Sequence, residues 1–290
     1  MLRQAASRSR QPHGRFEGGL NMALVARILA VMTVAVAAFA STASFARPLG
    51  AKTVVVLTYD DALPSQLSTA VPALNAAGLS GVFFLSNLKP EAVEAWRAVA
   101  AEGHELANHT LFHPCLSATF SASPRNTLEA HTPQSLLEEI AQANTLLAAL
   151  DGRKRHGYAM TCGQTLAGGQ DYIEPLRRSG LATYARGVSA SAEDLRRDIA
   201  SLDRMHVPAR GFAEDATAQD LIAFAEEARA GGGMAVFLFH GVGGDHLAVS
   251  EAAHAELLAW LVSHRDTIWT TTLQQAFDWS DAATAGSENP

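Results

Sequence analysis

Apolar strand-like runs alternate with helix-like segments from residue 52 to residue 279. The first run, residues 52–59, is rich in β-branched side chains and is followed by a helical pattern that Gly78 ends. Strand-then-helix order recurs to the end of the pattern, which requires crossover connections and parallel strands. We therefore expect an α/β fold, a single closed or nearly closed (β/α) barrel of seven or eight strands.

The predicted elements are regularly spaced along the chain. The pattern predicts strands at residues 52–59, 81–85, 104–108, 158–160, 182–185, 234–239 and 267–272. It predicts helices at residues 67–77, 91–101, 133–150, 172–178, 220–230, 251–263 and 273–279. In a parallel barrel the carboxyl ends of the strands form the active face, so polar residues at those ends are the first candidates for function.

The N-terminal segment predicts export. A charged stretch at residues 22–27 precedes an apolar run at 28–40, and Ser-Phe-Ala at 44–46 supplies small residues around a cleavage point. That run is 13 residues long, shorter than the roughly 17–25 that a transmembrane anchor needs. We expect residues 1–46 to be a cleaved signal peptide and leader, starting at Met1 or Met22, and the mature chain to be periplasmic or secreted.

Charge and length limit what the mature chain can bind. Without residues 1–46 it has 17 Lys and Arg against 28 Asp and Glu, a formal charge of −11. Such a protein is a poor candidate for binding nucleic acid or an anionic membrane surface. The remaining length fits one catalytic domain at residues 47–281 and a flexible tail at 282–290. The sequence leaves the oligomeric state open.

The chain has two cysteines, Cys115 and Cys162, and both lie in the mature part. In an oxidising compartment two cysteines can pair, and each of these lies beside a proposed site segment. We expect a disulfide between them. The alternative is two buried thiols that never meet.

Two histidines and two carboxylates predict a metal site. One helical turn would put the imidazoles of His109 and His113 on the same face, since residues at i and i+4 are neighbours. Without further context, two histidines at this spacing are more often packing or surface residues than metal ligands. Asp60 and Asp61 shift that balance, because adjacent carboxylates at a strand end repel each other unless a cation lies between them.

These residue types suit metal-assisted hydrolysis of an amide or ester. A divalent ion held by Asp61, His109 and His113 would leave positions open for a water and a carbonyl oxygen. Asp60 would accept the proton of the water. His240 follows the predicted strand at 234–239 and would protonate the leaving group, a task for a group that titrates near neutrality.

Three motifs resemble those of the polysaccharide deacetylases, carbohydrate esterases related to chitooligosaccharide deacetylase. They are Thr-Tyr-Asp-Asp at residues 58–61, His-Thr-Leu-Phe-His at 109–113 and Leu-Phe-His at 238–240, in matching order and approximate spacing. The resemblance spans roughly residues 53–272.

The resemblance implies a distorted (β/α) barrel that removes acetyl groups from N- or O-acetylated carbohydrate. It implies zinc or another divalent ion such as cobalt or nickel, and an acetylated glycan as partner. It also implies a role for each residue at the matching positions: Asp60 as base, His240 as acid, and Asp61, His109 and His113 as metal ligands.

The middle of the chain departs from the family. Where the family has an Arg-x-Pro-Tyr segment, residues 159–163 read Ala-Met-Thr-Cys-Gly. The amide of Cys162 can still stabilise an oxyanion, because that contact needs no particular side chain. Arg186 is a candidate to orient Asp60, although a surface Arg fits equally well. His246 lies in a glycine-rich loop, where it could touch substrate, yet loop histidines are more often solvated.

Two other classes of protein fit part of the pattern. A catalytically impaired barrel of the same fold could bind glycans only, as the altered middle segment suggests. A non-haem iron oxygenase shares the two-His-one-carboxylate set. The additional acid and base favour a hydrolase over both.

Overall fold

The structure is a computed structural model that describes residues 47, 51–119, 126–188 and 190–287, without the side chains of the last two. The predicted leader, residues 1–46, lies outside the described residues. Among the described helices none combines the length and apolar character needed to span a bilayer.

The strands and helices follow one another along the chain much as the sequence pattern predicts. The strands are β1 (Thr53–Asp60), β2 (Val82–Leu85), β3 (Glu105–Asn108), β4 (His156–Ala159), β5 (Leu166–Ala167), β6 (Gln170–Asp171), β7 (Ala182–Arg186), β8 (Arg210–Gly211), β9 (Met234–Phe239) and β10 (Ile268–Thr270). The α-helices are α1 (Val71–Ala77), α2 (Val93–Ala101), α3 (Pro133–Asp151), α4 (Ile173–Ser179), α5 (Ala218–Gly231), α6 (Glu251–Ser263) and α7 (Leu273–Ser287).

A parallel sheet forms the centre of the fold. Its strand order is β7-β4-β3-β2-β1-β9-β8, and β10 pairs with the first residues of β1. The sheet curls back on itself because Val207 joins β7, donating from its amide to the Ala185 carbonyl at 2.9 Å, while β8 just after it pairs with β9. The predicted distorted (β/α) barrel of seven or eight strands is confirmed.

Side-chain alternation along β1 fills two cores. All eight residues of β1 are buried, as expected for a parallel strand covered on both faces. Val55 and Leu57 belong to the cluster that contains residues of α1, α2, α5 and α6, whereas Val54 and Val56 belong to a second cluster that contains residues of α7. Because side chains of a strand alternate with a period of two, Asp60 points to the same side as Val54 and Val56.

The second cluster also contains Tyr184 of β7, two residues before Arg186. By the same alternation Arg186 shares the face of Tyr184. The two strands therefore direct Asp60 and Arg186 towards each other at the carboxyl ends of the barrel strands.

One prediction of local structure is wrong. Residues 109–113 form no helical turn but an irregular loop after β3, with φ of 61° at Thr110 and 53° at His113. Helix α7 continues into the predicted tail as far as Ser287, because the alanines there are strong helix formers, and the flexibility predicted for residues 282–290 stays a prediction.

Candidate active site

Asp60 and Asp61 follow one another in sequence but have different surroundings. The side chain of Asp60 is buried, with 3% of its residue surface exposed, and its two oxygens each accept from Nη2 of Arg186 at 2.5 Å. Arg186 is 1% exposed, and its guanidinium lies 4.9 Å from the centre of the Phe84 ring. The Arg186 charge compensates the buried Asp60 carboxylate.

Asp61 leaves the strand direction at once. Its backbone has φ of 81°, and its amide donates to the Phe84 carbonyl at 3.0 Å. This turn sends the Asp61 side chain away from Arg186. Its Oδ1 lies 3.6 Å from Nε2 of His109 and 3.4 Å from Nε2 of His113. Asp61, unlike Asp60, keeps its carboxylate free of a guanidinium and close to two imidazoles.

His109 has a defined tautomer. Its Nδ1 lies 3.0 Å from the carbonyl oxygen of Ala159, which can only accept, so Nδ1 carries the proton. Nε2 is then an unprotonated nitrogen that faces Asp61. Burial lowers the pKa of His109 to about 4, although Asp60 and Asp61 oppose this shift, so the ring is neutral at pH 7. A neutral imidazole held at Nδ1 by a carbonyl is typical of a metal ligand.

The loop that carries His113 is shaped by short polar side chains. Oδ1 of Asn108 accepts from the Thr110 amide at 2.8 Å, and Oγ1 of Thr110 accepts from the His113 amide at 2.9 Å. Oε1 of Glu139 accepts from the amides of Leu111 and Phe112 at 3.1 and 3.0 Å. These bonds satisfy the backbone amides outside a helix, which is why the expected helical turn does not form.

The residues Asp61, His109 and His113 fit a divalent ion. One ligand atom from each lies within 4.8 Å of the others. A tetrahedral centre with Zn–N and Zn–O bonds of about 2.0–2.1 Å separates ligand atoms by roughly 3.3 Å, close to the distances of 3.4 and 3.6 Å from Asp61 to the imidazoles. Two histidines and one carboxylate also leave coordination positions open.

Two further histidines face the other oxygen of Asp61. Nε2 of His246 lies 3.0 Å from Oδ2, and Nε2 of His240, just after β9, lies 3.9 Å from it. Burial alone would raise the pKa of Asp61, but electrostatic interaction with the imidazoles of His109, His113 and His240 and the hydrogen bond with His246 bring it below its ordinary value. Burial also lowers the pKa of His240.

The strained backbone of the described residues is concentrated at this site. Among the residues that the structure describes, eight other than glycine have positive φ. Six of them line one cavity of about 1260 Å³, together with His240 and His246: Asp61, Ala62, Asn87, His113, Cys162 and Leu247. Because each such conformation costs on the order of 1–3 kcal/mol, their clustering around one cavity marks a functional site.

Cys115 and Cys162 form a disulfide, with their Cα atoms 5.8 Å apart. The bridge ties the loop after His113 to the short turn at Thr161–Gly163. Both sulfurs lie close to His113, but sulfur ligates metals as a thiolate, and oxidised cysteines offer none. Cys162 lines the cavity with φ of 52°, and the role of its amide at an oxyanion stays a prediction.

Gln66 and His246 are the site residues that sequence reasoning leaves out or underrates. Nε2 of Gln66 donates to the carbonyls of Asp60 and His240 at 2.5 and 3.0 Å, which ties the ends of β1 and β9 together. Gln66 belongs to no motif, so no sequence signal marks it. His246 lies six residues after His240, at the end of a glycine-rich stretch, and this closeness in sequence is the one signal that connects it with the site.

The family model of polysaccharide deacetylase matches residues 49–176. The resemblance to polysaccharide deacetylases is therefore confirmed. The matched segment contains Asp60, Asp61, His109 and His113, while Arg186, His240 and His246 lie beyond it. No curated protein matches the chain.

Solved structures of polysaccharide deacetylases share the fold. A protein of Mycobacterium smegmatis assigned as a polysaccharide deacetylase is 18% identical, with a TM-score of 0.57 over 82% of this chain and 95% of that one. The peptidoglycan deacetylase PdaC from Bacillus subtilis is 15% identical, with a TM-score of 0.51 over 81% and 94%. The catalytic domain of a peptidoglycan N-acetylglucosamine deacetylase from Eubacterium rectale is 16% identical, with a TM-score of 0.51 over 80% and 94%. At these identities the likeness is one of fold.

Proposed function

We propose that this chain is an exported, metal-dependent hydrolase that removes acetyl groups from N- or O-acetylated carbohydrate. The observation that carries the proposal is the pairing of two differently placed carboxylates. Asp61 faces His109 and His113, whereas Asp60 is buried beside it against Arg186. In this arrangement Asp61 can act as a metal ligand while Asp60 acts as a base.

Asp61, His109 and His113 would hold the ion, and zinc suits this set of nitrogen and oxygen donors. When bound, the ion supplies a Lewis acid for the acetyl carbonyl and lowers the pKa of an adjacent water. The carbonyl of Ala159 keeps the proton of His109 on Nδ1, so that Nε2 remains available as a donor atom.

Asp60 is the proposed base. Oδ2 of Asp60 lies 3.7 Å from Nε2 of His109, so its carboxylate lies next to the proposed ligands. Arg186 holds both Asp60 oxygens, which fixes the carboxylate in position and offsets its charge without removing its capacity to accept a proton. A buried, immobile carboxylate of this kind suits proton transfer from a water bound next to it.

His240 is the proposed acid. Its imidazole faces Oδ2 of Asp61, whereas that of His113 faces Oδ1, and both histidines line the same cavity. It can therefore deliver a proton to the leaving amine or alkoxide while Asp60 accepts one from the water. The amide of Cys162 would stabilise the oxyanion, a role that depends on the backbone and not on the Pro-Tyr side chains that this chain lacks.

The cavity is suited to a carbohydrate. Asn87, Lys89 and Asn126 offer polar groups to hydroxyls, while Phe112 and Leu247 offer apolar contact area at the rim. Phe112 is 55% exposed and lies between the two proposed histidine ligands, where its ring can contact the apolar face of a sugar.

Export is the part of the proposal that depends on the N-terminal segment. The disulfide between Cys115 and Cys162 supports it, because disulfides persist mainly in oxidising compartments. The acidic charge expected after cleavage also favours a neutral glycan partner over nucleic acid.

Acetate release tests the activity. The purified chain, incubated with zinc, is expected to release acetate from at least one of acetylated xylan, N-acetylated chitooligosaccharide and peptidoglycan. A chelator should abolish the release, and zinc added back should restore it, because the proposed water activation depends on the ion. An Asp266→Asn variant, changed at an exposed position, serves as the control.

Absence of acetate release from every substrate in the presence of zinc would contradict the hydrolase. If the same preparation bound one of the glycans in a pull-down, the chain would instead be a glycan-binding barrel. Release that continues after complete removal of metal would contradict the metal requirement.

A further inference from the structure

Asp61 faces two pairs of histidines with its two oxygens. Oδ1 faces His109 and His113, the proposed ligands of the catalytic ion. Oδ2 faces His246 at 3.0 Å and His240 at 3.9 Å. The proposed reaction does not use His240 and His246 as metal ligands. Like His109 and His113, however, they place two imidazoles next to one carboxylate oxygen.

His246 is held in place by its loop. The Gly241 amide donates to the His246 carbonyl at 3.3 Å, the Ser65 amide donates to Oδ2 of Asp245 at 2.7 Å, and Oγ of Ser65 donates to the Gly244 carbonyl at 3.1 Å. Asp245 and Leu247, on either side of His246, have φ of 67° and 48°. A loop held by these bonds presents the imidazole of His246 to Asp61, 3.0 Å from Oδ2.

The donor atoms are arranged for a second ion. One ligand atom from each of Asp61, His240 and His246 lies within 4.8 Å of the others. The two distances from Oδ2 bracket the roughly 3.3 Å that separates ligands in a tetrahedral zinc centre. His246 is 55% exposed, so an ion can enter and leave at this position more easily than beside the buried His109.

We propose that Asp61, His240 and His246 form a second, weaker metal-binding position, with Asp61 shared between the two. Carboxylates that join two neighbouring ions are a recurring feature of two-metal sites. The consequence for catalysis rests on the proposed function. Nε2 of His240 cannot both ligate an ion and carry a proton, so filling the second position suppresses the acid and lowers turnover.

Zinc binding to the metal-free protein tests the proposal. Isothermal titration together with metal analysis should find two ions per chain in the wild type, the second bound more weakly. His246→Ala should bind only the tighter ion, and His113→Ala only the weaker one. His206→Ala, which removes an exposed histidine paired with Asp203, should bind two ions as the wild type does.

A second readout is acetate release at increasing zinc. In the wild type, acetate release should be slower with excess zinc than with one equivalent. In His246→Ala the rates at these two zinc concentrations should be nearly equal. One ion per chain in the wild type, or two in His246→Ala, would overturn the second position while leaving the deacetylase intact. Tight binding that is unaffected by His113→Ala would instead overturn the proposed catalytic site.

Discussion

Asp60 and Arg186 form a buried ion pair whose two partners depend on each other. Both are almost fully enclosed, and Arg186 contacts both carboxylate oxygens. Removing one partner leaves an uncompensated charge in a low-dielectric interior, which is much costlier than replacing both. The pair therefore links the proposed base to the stability of the barrel.

The substitution Arg186→Met is expected to lower the free energy of unfolding by about 3–5 kcal/mol, because Asp60 remains buried without its partner. Denaturant unfolding in the presence of a chelator measures the change without a contribution from metal binding. Arg177→Met, which removes a partly exposed partner of Asp203, should cost about 1 kcal/mol or less.

The double variant Asp60→Asn/Arg186→Met is the internal check. It should recover part of the stability lost in Arg186→Met, since the unpaired charge is gone. A double variant no more stable than Arg186→Met would contradict the cost assigned to the unpaired Asp60 charge.

The disulfide between Cys115 and Cys162 joins two loops of the site. It closes a loop over a sequence separation of 47 residues. Chain entropy then predicts that replacing both cysteines by serine lowers the free energy of unfolding by about 4 kcal/mol. Thermal or denaturant unfolding of the double variant measures this. Titration of two free thiols per chain in the unreduced, unfolded wild type would show that the bridge does not form.

The conformation of the loop after β3 could not be predicted from the sequence. The His109 and His113 spacing fits a helical turn as well as it fits a loop. What decides between them is that Asn108 and Thr110 satisfy backbone amides through their side chains, and that Glu139 approaches from α3. The contact of Glu139 joins segments that are distant in sequence, so no local sequence pattern predicts it.

The order of strands and helices in the barrel is predictable because both kinds of element have strongly periodic sequences. Strand β9 and helix α6 begin and end where the pattern predicts. Strand β8 is not predictable, since its two residues, Arg210 and Gly211, carry no period. The carboxyl-end rule places Asp60, Asp61 and His240 on one face, but the arrangement of His246 and Gln66 depends on tertiary contacts.

Buried histidines give the whole barrel a pH-dependent stability. Burial lowers the pKa of His254, whose Nε2 shares a hydrogen bond of 2.7 Å with the Tyr59 hydroxyl, to about 4. The unfolded chain binds a proton at an ordinary pKa of 6.5 while the folded state does not. Stability from this group is therefore present above pH 6.5 and is lost as the pH falls to about 4.

We expect His254 to account for about 3 kcal/mol of the loss in unfolding free energy between pH 7 and pH 4. His254→Gln should reduce that loss by about this amount, and His206→Gln, changed at an exposed site, should not. Denaturant unfolding across this range measures both. If His254→Gln and the wild type lost the same unfolding free energy between pH 7 and pH 4, His254 would not be buried in its neutral form.

The central claim is that Asp61, His109 and His113 hold a catalytic ion while Asp60 acts as the base. The most direct measurement compares tight zinc binding with acetate release in two variants that are first shown to be folded. Asp60→Asn should keep the tight ion and lose turnover by about 10²–10⁴-fold, whereas His113→Ala should lose both. An Asp60→Asn variant that remains active, or a His113→Ala variant that keeps the tight ion and turnover, would contradict the claim.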